Sequence, residues 1–166
     1  MQYKFPKNPQ QLEAAEQLIL GATRLWVCKS LELGDPLDSV KHYYAKFGIV
    51  SAANSHAEIL HNSAIAANRK ITINCLCASE LTLDESRIVH AIAHAQAGRT
   101  EVGIRFLASW LPDASLRLTE PSLNSLAKAF TTMNLVVPIR PWSCAPDFSD
   151  ILHGGVTYRL KSSLAH

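Results

Sequence analysis

Residues 71–94, ITINCLCASELTLDESRIVHAIAH, divide this chain of 166 residues into two helical parts and carry its clearest metal-ligand spacing. Apolar and polar residues alternate at the start of the segment, which predicts a short strand or an extended connection. Thr82 and Glu85 then form a capping box, in which each side chain accepts a hydrogen bond from the backbone amide of the other residue. We therefore predict a connector over residues 71–82, followed by a helix that begins at Leu83.

Before the connector, the sequence predicts three helices. Asn8-Pro9 and Asp35-Pro36 each place a capping side chain before a proline, which is a common helix start. Apolar residues then recur every three or four positions, so that the first helix extends to about residue 33. A third helix is predicted over residues 51–69, although its many alanines leave the buried face indistinct.

After the connector, further helices are predicted on both sides of Pro112. One covers residues 100–111, and another opens at Glu120-Pro121. Prolines and glycines interrupt the chain beyond residue 134, so this region is predicted to be irregular, with a short strand near residues 156–160.

These patterns predict an all-α or nearly all-α fold, a compact bundle of six to seven helices in a single domain over residues 1–166. An internal repeat is a further hypothesis, because residues 37–40 (LDSV) resemble residues 123–126 (LNSL), each following a tryptophan-containing segment. Under this hypothesis the halves are residues 8–70 and 83–137, and residues 138–166 form a carboxyl-terminal arm.

Composition limits the class of protein. The chain is 48% hydrophobic, and its 16 Lys and Arg residues nearly balance 14 Asp and Glu residues, for a net charge of +2. Nucleic-acid binding is disfavoured because no basic run provides a phosphate-tracking surface. No segment is apolar enough for a signal peptide or a membrane span, so we expect a cytoplasmic protein with reduced thiols and no membrane partner.

One hypothesis for the connector and the following helix is a zinc site formed by Cys75, Cys77, His90 and His94. Their spacing, C-x-C-x12-H-x3-H, is one residue short of a two-Cys, two-His finger, and thiolate and imidazole are preferred zinc ligands. However, a one-residue gap between the cysteines is too short for the turn that brings two thiolates together on a zinc ion. In addition, a helical wheel at about 100° per residue places the histidines opposite the apolar stripe.

The alternative interpretation is a solvated helix face that presents Arg87, His90 and His94, with Cys75 and Cys77 as small thiols buried on an apolar strand face. In that case the three polar side chains form an interaction surface. Trp142, in an irregular segment, is a further candidate for it or for an anchor of the carboxyl-terminal arm.

Other patterns have structural explanations. Glu58 and His61 are spaced like ligands of a carboxylate-bridged di-iron bundle. Such a bundle needs long helices, and proline and glycine interrupt the helices of this chain. A surface ion pair or hydrogen bond between the two residues is therefore favoured.

Trp26 and Trp110 are predicted in the core. We find no phosphate-binding glycine loop and no nucleophile elbow, so the chain is not predicted to be an enzyme.

The sequence therefore favours a protein-interaction or regulatory domain without a cofactor, whose partner is another protein or a second copy in a homodimer. A zinc-binding protein is the first alternative. A small enzyme with a pocket between the two halves is the second.

Overall fold

A computed structural model describes residues 8–32 and 34–141, together with the backbone of residues 158–159. Six α-helices pack together within this part of the chain, which confirms the predicted all-α class. In chain order the elements are a 3-10 turn (Pro9–Gln11), α1 (Ala14–Leu31), α2 (Pro36–Ala45), α3 (Ala52–Ala66), β1 (Thr72–Ile73), α4 (Leu83–Gln96), α5 (Thr100–Leu107), α6 (Asp113–Thr132) and β2 (Tyr158–Arg159).

Two helix starts follow the predicted capping chemistry. The Asp35 side chain accepts from the Asp38 amide 3.0 Å away, and Pro36 occupies the first turn of α2. At α4, the Thr82 hydroxyl accepts from the Glu85 amide at 3.0 Å while the Glu85 carboxylate accepts from the Thr82 amide at 2.8 Å. The bonds from the Asp38 and Glu85 amides satisfy first-turn N–H groups that have no partner within the helix.

Two other helix starts differ from the prediction. Asn8 caps only the 3-10 turn, and α1 begins after Glu13 in a second capping box. Helix α6 begins directly after Pro112 and continues through Pro121, where a new helix start was predicted. Proline inside a helix costs about 3 kcal/mol. The exposed position of Pro121 and the burial of apolar residues on the next turns offset that cost.

Helix α4 lies at the centre of the bundle. It packs against α1, α5 and α6, and ten of its residues are buried, from Asp84 to Ala95. Gly103 allows α5 to approach closely, because a Cβ atom at this position would lie 2.5 Å from the Ala91 carbonyl oxygen. A helix so enclosed has no single solvent-facing side.

The connector begins with a short strand that pairs with a strand near the carboxyl end of the chain. Strand β1 pairs antiparallel with β2, with Ile73 opposite Tyr158. Strand β2 lies within residues 156–160, where a strand was predicted.

Trp26 and Trp110 are buried as predicted, with 5% and 0% of their surface exposed. Trp26 lies within α1, whereas Trp110 lies in the turn between α5 and α6. The internal repeat stays a prediction, which superposition of the two halves will test.

None of the helices in residues 8–32 and 34–141 combines the length and the hydropathy of a bilayer-spanning segment.

Candidate functional site

The four predicted zinc ligands lie in different environments. Cys75 is half-buried and Cys77 is exposed on a turn of the connector, whereas His90 is buried within α4 and His94 is half-buried one turn later. Within residues 8–32 and 34–141, no three His, Cys, Asp or Glu side chains are grouped so that they could hold a metal ion. The structure thus does not bring the four residues together.

The prediction that His90 faces solvent is wrong. Only 1% of its surface is exposed, and its ring lies 5.1 Å from that of Phe106 between centroids. Nδ1 is 2.8 Å from the Ser86 carbonyl oxygen, and Nε2 is 3.2 Å from the Arg140 carbonyl oxygen. Burial lowers the pKa of His90, although the two carbonyls oppose this effect. Helix α5 and the segment after α6 therefore cover the side of α4 that the helical wheel assigned to solvent.

His94 and Arg87 also fail to form a shared outward face. The His94 ring stacks on Phe106 at 5.4 Å, and burial lowers the pKa of His94, with further lowering by the charges of Arg99 and His90. No described residue hydrogen-bonds its buried Nδ1 atom. The Arg87 guanidinium instead binds the Asp84 carboxylate at 2.8 Å, and Trp142 lies outside the described residues.

Cys75 and Cys77 form a thiol pair, with 2.9 Å between their sulfur atoms. Strand β1 ends at Ile73, and the chain then turns, closed by a 3.1 Å hydrogen bond from the Ala78 amide to the Cys75 carbonyl. An extended strand would instead have separated the two side chains along one face. The prediction of two thiols buried on a strand face is therefore wrong, because the strand is too short to include them.

The two thiols differ in acidity. A hydrogen bond from Cys77 lowers the pKa of Cys75, and the backbone amides of Cys77 and Ala78 and the charge of Arg24 lower it further. The same side-chain hydrogen bond raises the pKa of Cys77, as does the charge that develops on Cys75. A negative charge on the pair therefore resides preferentially on Cys75.

Arg24 fixes the turn against the bundle. Its guanidinium donates to both Glu85 carboxylate oxygens, at 2.7 and 3.1 Å, and to the carbonyl oxygens of Ala78 and Glu80, at 2.9 and 2.6 Å. Glu85 also accepts from the Asn74 amide at 3.0 Å. One buried ion pair thus connects α1, α4 and both ends of the thiol turn.

A shallow groove of about 210 Å³ lies beside the thiol turn. Leu76 and Ala78 of the turn form one wall, and Leu20 and Arg24 of α1 contribute to the opposite wall, with Gln17 providing a polar group. Leu76 is 52% exposed. The thiol pair therefore adjoins a mainly apolar surface that is open to small molecules.

A second exposed region, which we call the end surface, consists of Phe47, Val50, Met133 and Val136. Their exposed fractions are 49%, 49%, 44% and 72%. The methyl group of Met133 lies 3.7 Å from the position of a Cβ atom on Gly48, so the turn after α2 meets the end of α6. An adjoining groove of about 410 Å³ runs between the start of α1 and residues 134–138.

Glu58 and His61 do not form the predicted pair. The Glu58 carboxylate instead accepts from the Ser122 hydroxyl of α6 at 2.7 Å. No hydrogen bond joins Glu58 to His61 in the described part of the chain, and His61 is exposed. The carboxylate therefore contributes to the packing of α3 against α6.

Sequence reasoning missed two buried polar contacts. In one, the Tyr44 hydroxyl is 2.6 Å from His56 Nδ1, while His56 Nε2 is 3.0 Å from the Thr23 hydroxyl. Thr23 donates its proton to the Ile19 carbonyl, so Nε2 carries the imidazole hydrogen and Nδ1 accepts from Tyr44. Burial lowers the pKa of His56 to about 3. The sequence did offer one signal for the burial of His56, which is its position on the same apolar side of the predicted helix as Ala53.

The other missed contact joins residues that are 124 positions apart. The Arg140 guanidinium binds the buried Glu16 carboxylate through two hydrogen bonds of 2.7 Å. Glu16 also accepts from the Glu13 amide at the start of α1. This pair holds the segment after α6 across α1, and no local pattern in the sequence indicates it.

Comparison with known proteins finds no matching family model, no similar curated protein and no similar solved structure.

Proposed function

We propose that this chain is a helical protein-interaction domain that self-associates through the end surface. The observation that carries the proposal is that the turn after α2, with Phe47 and Val50 exposed, meets the end of α6 at Met133, from which the exposed Val136 follows three residues later; the four side chains are between 44% and 72% exposed. Contiguous exposed apolar side chains are typical of contact surfaces, whereas single ones are common on any protein.

A second copy is the partner that this surface fits best. All four side chains are uncharged, so none of them brings a like charge against its own copy when two copies meet face to face. Burial of apolar surface contributes about 25 cal/mol per Å². The groove beside Val136 adjoins these side chains, and a stable interface buries roughly 1,200–2,000 Å².

Sedimentation velocity over a range of protein concentrations tests the proposal. We expect a reversible dimer for the wild type, measured under reducing conditions to exclude intermolecular disulfides. Val136→Asp introduces a charge at the most exposed of the four positions and should weaken dimerisation by about 2 kcal/mol, roughly thirtyfold in Kd.

Leu118→Asp is the matched control, because Leu118 is also 72% exposed but lies near the other end of α6. The separation along the helix is about 20 Å. This variant should dimerise like the wild type. A wild type that stays monomeric at a concentration on the order of 100 µM contradicts the proposal. An equal loss of dimer in both variants contradicts the assigned surface.

A further inference from the structure

The thiol turn combines three features that thiol–disulfide chemistry requires. The sulfur atoms of Cys75 and Cys77 are 2.9 Å apart, compared with about 2.05 Å in a disulfide, so a short movement joins them. Cys77 is exposed and Cys75 is half-buried, so a reagent can reach the pair. The groove beside Leu76 gives the rest of the reagent an apolar surface to contact.

We propose that Cys75 and Cys77 form a redox-active dithiol that reduces low-molecular-weight disulfides and closes to an intramolecular disulfide. The site is separate from the end surface and does not depend on self-association. Its substrate class is a small disulfide, R–S–S–R, of which one half contacts the groove during exchange.

The reaction proceeds in two exchange steps. The Cys75 thiolate attacks one sulfur of the substrate, so that a Cys75–S–S–R bond forms, the substrate S–S bond breaks, and the first RS⁻ leaves and takes up the proton released by Cys75. The Cys77 thiolate then attacks the Cys75 sulfur, and the second RS⁻ leaves with the Cys77 proton. In total the protein loses two electrons and two protons, and the substrate becomes two thiols.

The surroundings of the turn favour this order of attack. The hydrogen bond between the two thiols and the Ala78 backbone amide favour negative charge on Cys75, whereas the Cys77 amide and the Arg24 guanidinium lower the pKa of both thiols. Arg24 also holds the Ala78 and Glu80 carbonyls, so the turn keeps both sulfurs on one side. Preorganisation of this kind favours attack within the pair over attack by a second external thiol.

The experiment uses the full chain with Cys28→Ser and Cys144→Ser, so that Cys75 and Cys77 are the only thiols. Metal-free protein is incubated with oxidised glutathione and analysed by intact mass spectrometry after acid quenching. We expect the loss of two hydrogen atoms, with release of two equivalents of reduced glutathione. If the two thiols stay reduced in excess oxidised glutathione while the urea-unfolded protein reacts, the proposal is wrong.

Single-thiol variants test the roles of the two cysteines. With Cys77→Ser added, the reaction should stop at the mixed disulfide on Cys75. With Cys75→Ser added, the neighbour that raises the pKa of Cys77 is gone, so this variant should also stop at a mixed disulfide, on Cys77. The order of attack is therefore measured in the intact pair, and release of a second equivalent of reduced glutathione by either single-thiol variant would overturn the assignment.

A measurement on the unmodified chain keeps the test independent of variant folding. With limiting iodoacetamide, peptide mapping should find Cys75 alkylated before Cys77, and prior treatment with oxidised glutathione should protect both. Equal labelling before and after that treatment would contradict the formation of a disulfide.

Discussion

Replacement of Arg24 by methionine tests how the connector is held on the bundle. The side chain of Arg24 is 4% exposed and that of its partner Glu85 is fully buried. Methionine retains much of the apolar stem but removes four hydrogen bonds, to Glu85, Ala78 and Glu80. The Glu85 carboxylate then stays buried with only backbone amide donors.

We expect Arg24→Met to lower the free energy of unfolding by about 3–5 kcal/mol, because it leaves one charge of a buried pair uncompensated. For a domain of this size each kcal/mol lowers Tm by about 2–4 °C. Adding Glu85→Gln removes that charge while retaining an acceptor for the Thr82 amide. The double variant should therefore be more stable than Arg24→Met, with a coupling energy of up to about 3 kcal/mol.

Urea unfolding followed by far-ultraviolet circular dichroism measures these differences. The control is Lys29→Met on the same helix, which breaks the solvent-exposed pair between Lys29 and Glu32 and should change stability little. The reasoning fails if Arg24→Met loses less than about 1 kcal/mol, or if its effect equals that of the control.

Two further predictions concern the packing of the bundle. His56 has a pKa of about 3 when folded, below its ordinary 6.5, so the folded state binds fewer protons and stability falls by about 1.4 kcal/mol per pH unit as pH decreases from 6.5 toward 3. In denaturation experiments at several pH values, His56→Gln should lower by one the number of protons taken up on unfolding in this pH range. An unchanged pH dependence of the free energy of unfolding would contradict a neutral, buried His56 ring. Gly103→Ala places a methyl group 2.5 Å from the Ala91 carbonyl and should cost about 1–3 kcal/mol in thermal unfolding, whereas a neutral effect would show that α5 can move away.

The candidate site was only partly predictable from the sequence. The spacing of Cys75 and Cys77 singled out this segment as a zinc-site hypothesis, but the approach of the two sulfur atoms depends on a turn that Arg24 holds from α1, more than 50 residues earlier. The helical wheel misplaced His90 because it assumes one buried face, whereas α4 is enclosed by neighbours. The end surface had no local signature, since its two segments are separated by more than 80 residues.

The sequence by itself determined the helical class and several helix ends. Capping side chains, prolines and the spacing of apolar residues act within about four residues, so Asp35, Thr82 and Glu85 specify local hydrogen bonds that need no tertiary contact. Only the tertiary structure decided which helix is central and which polar groups are buried. The Glu16–Arg140 pair forms when segments 124 residues apart meet, because burial depends on the neighbours that each side chain acquires rather than on its own position along a helix.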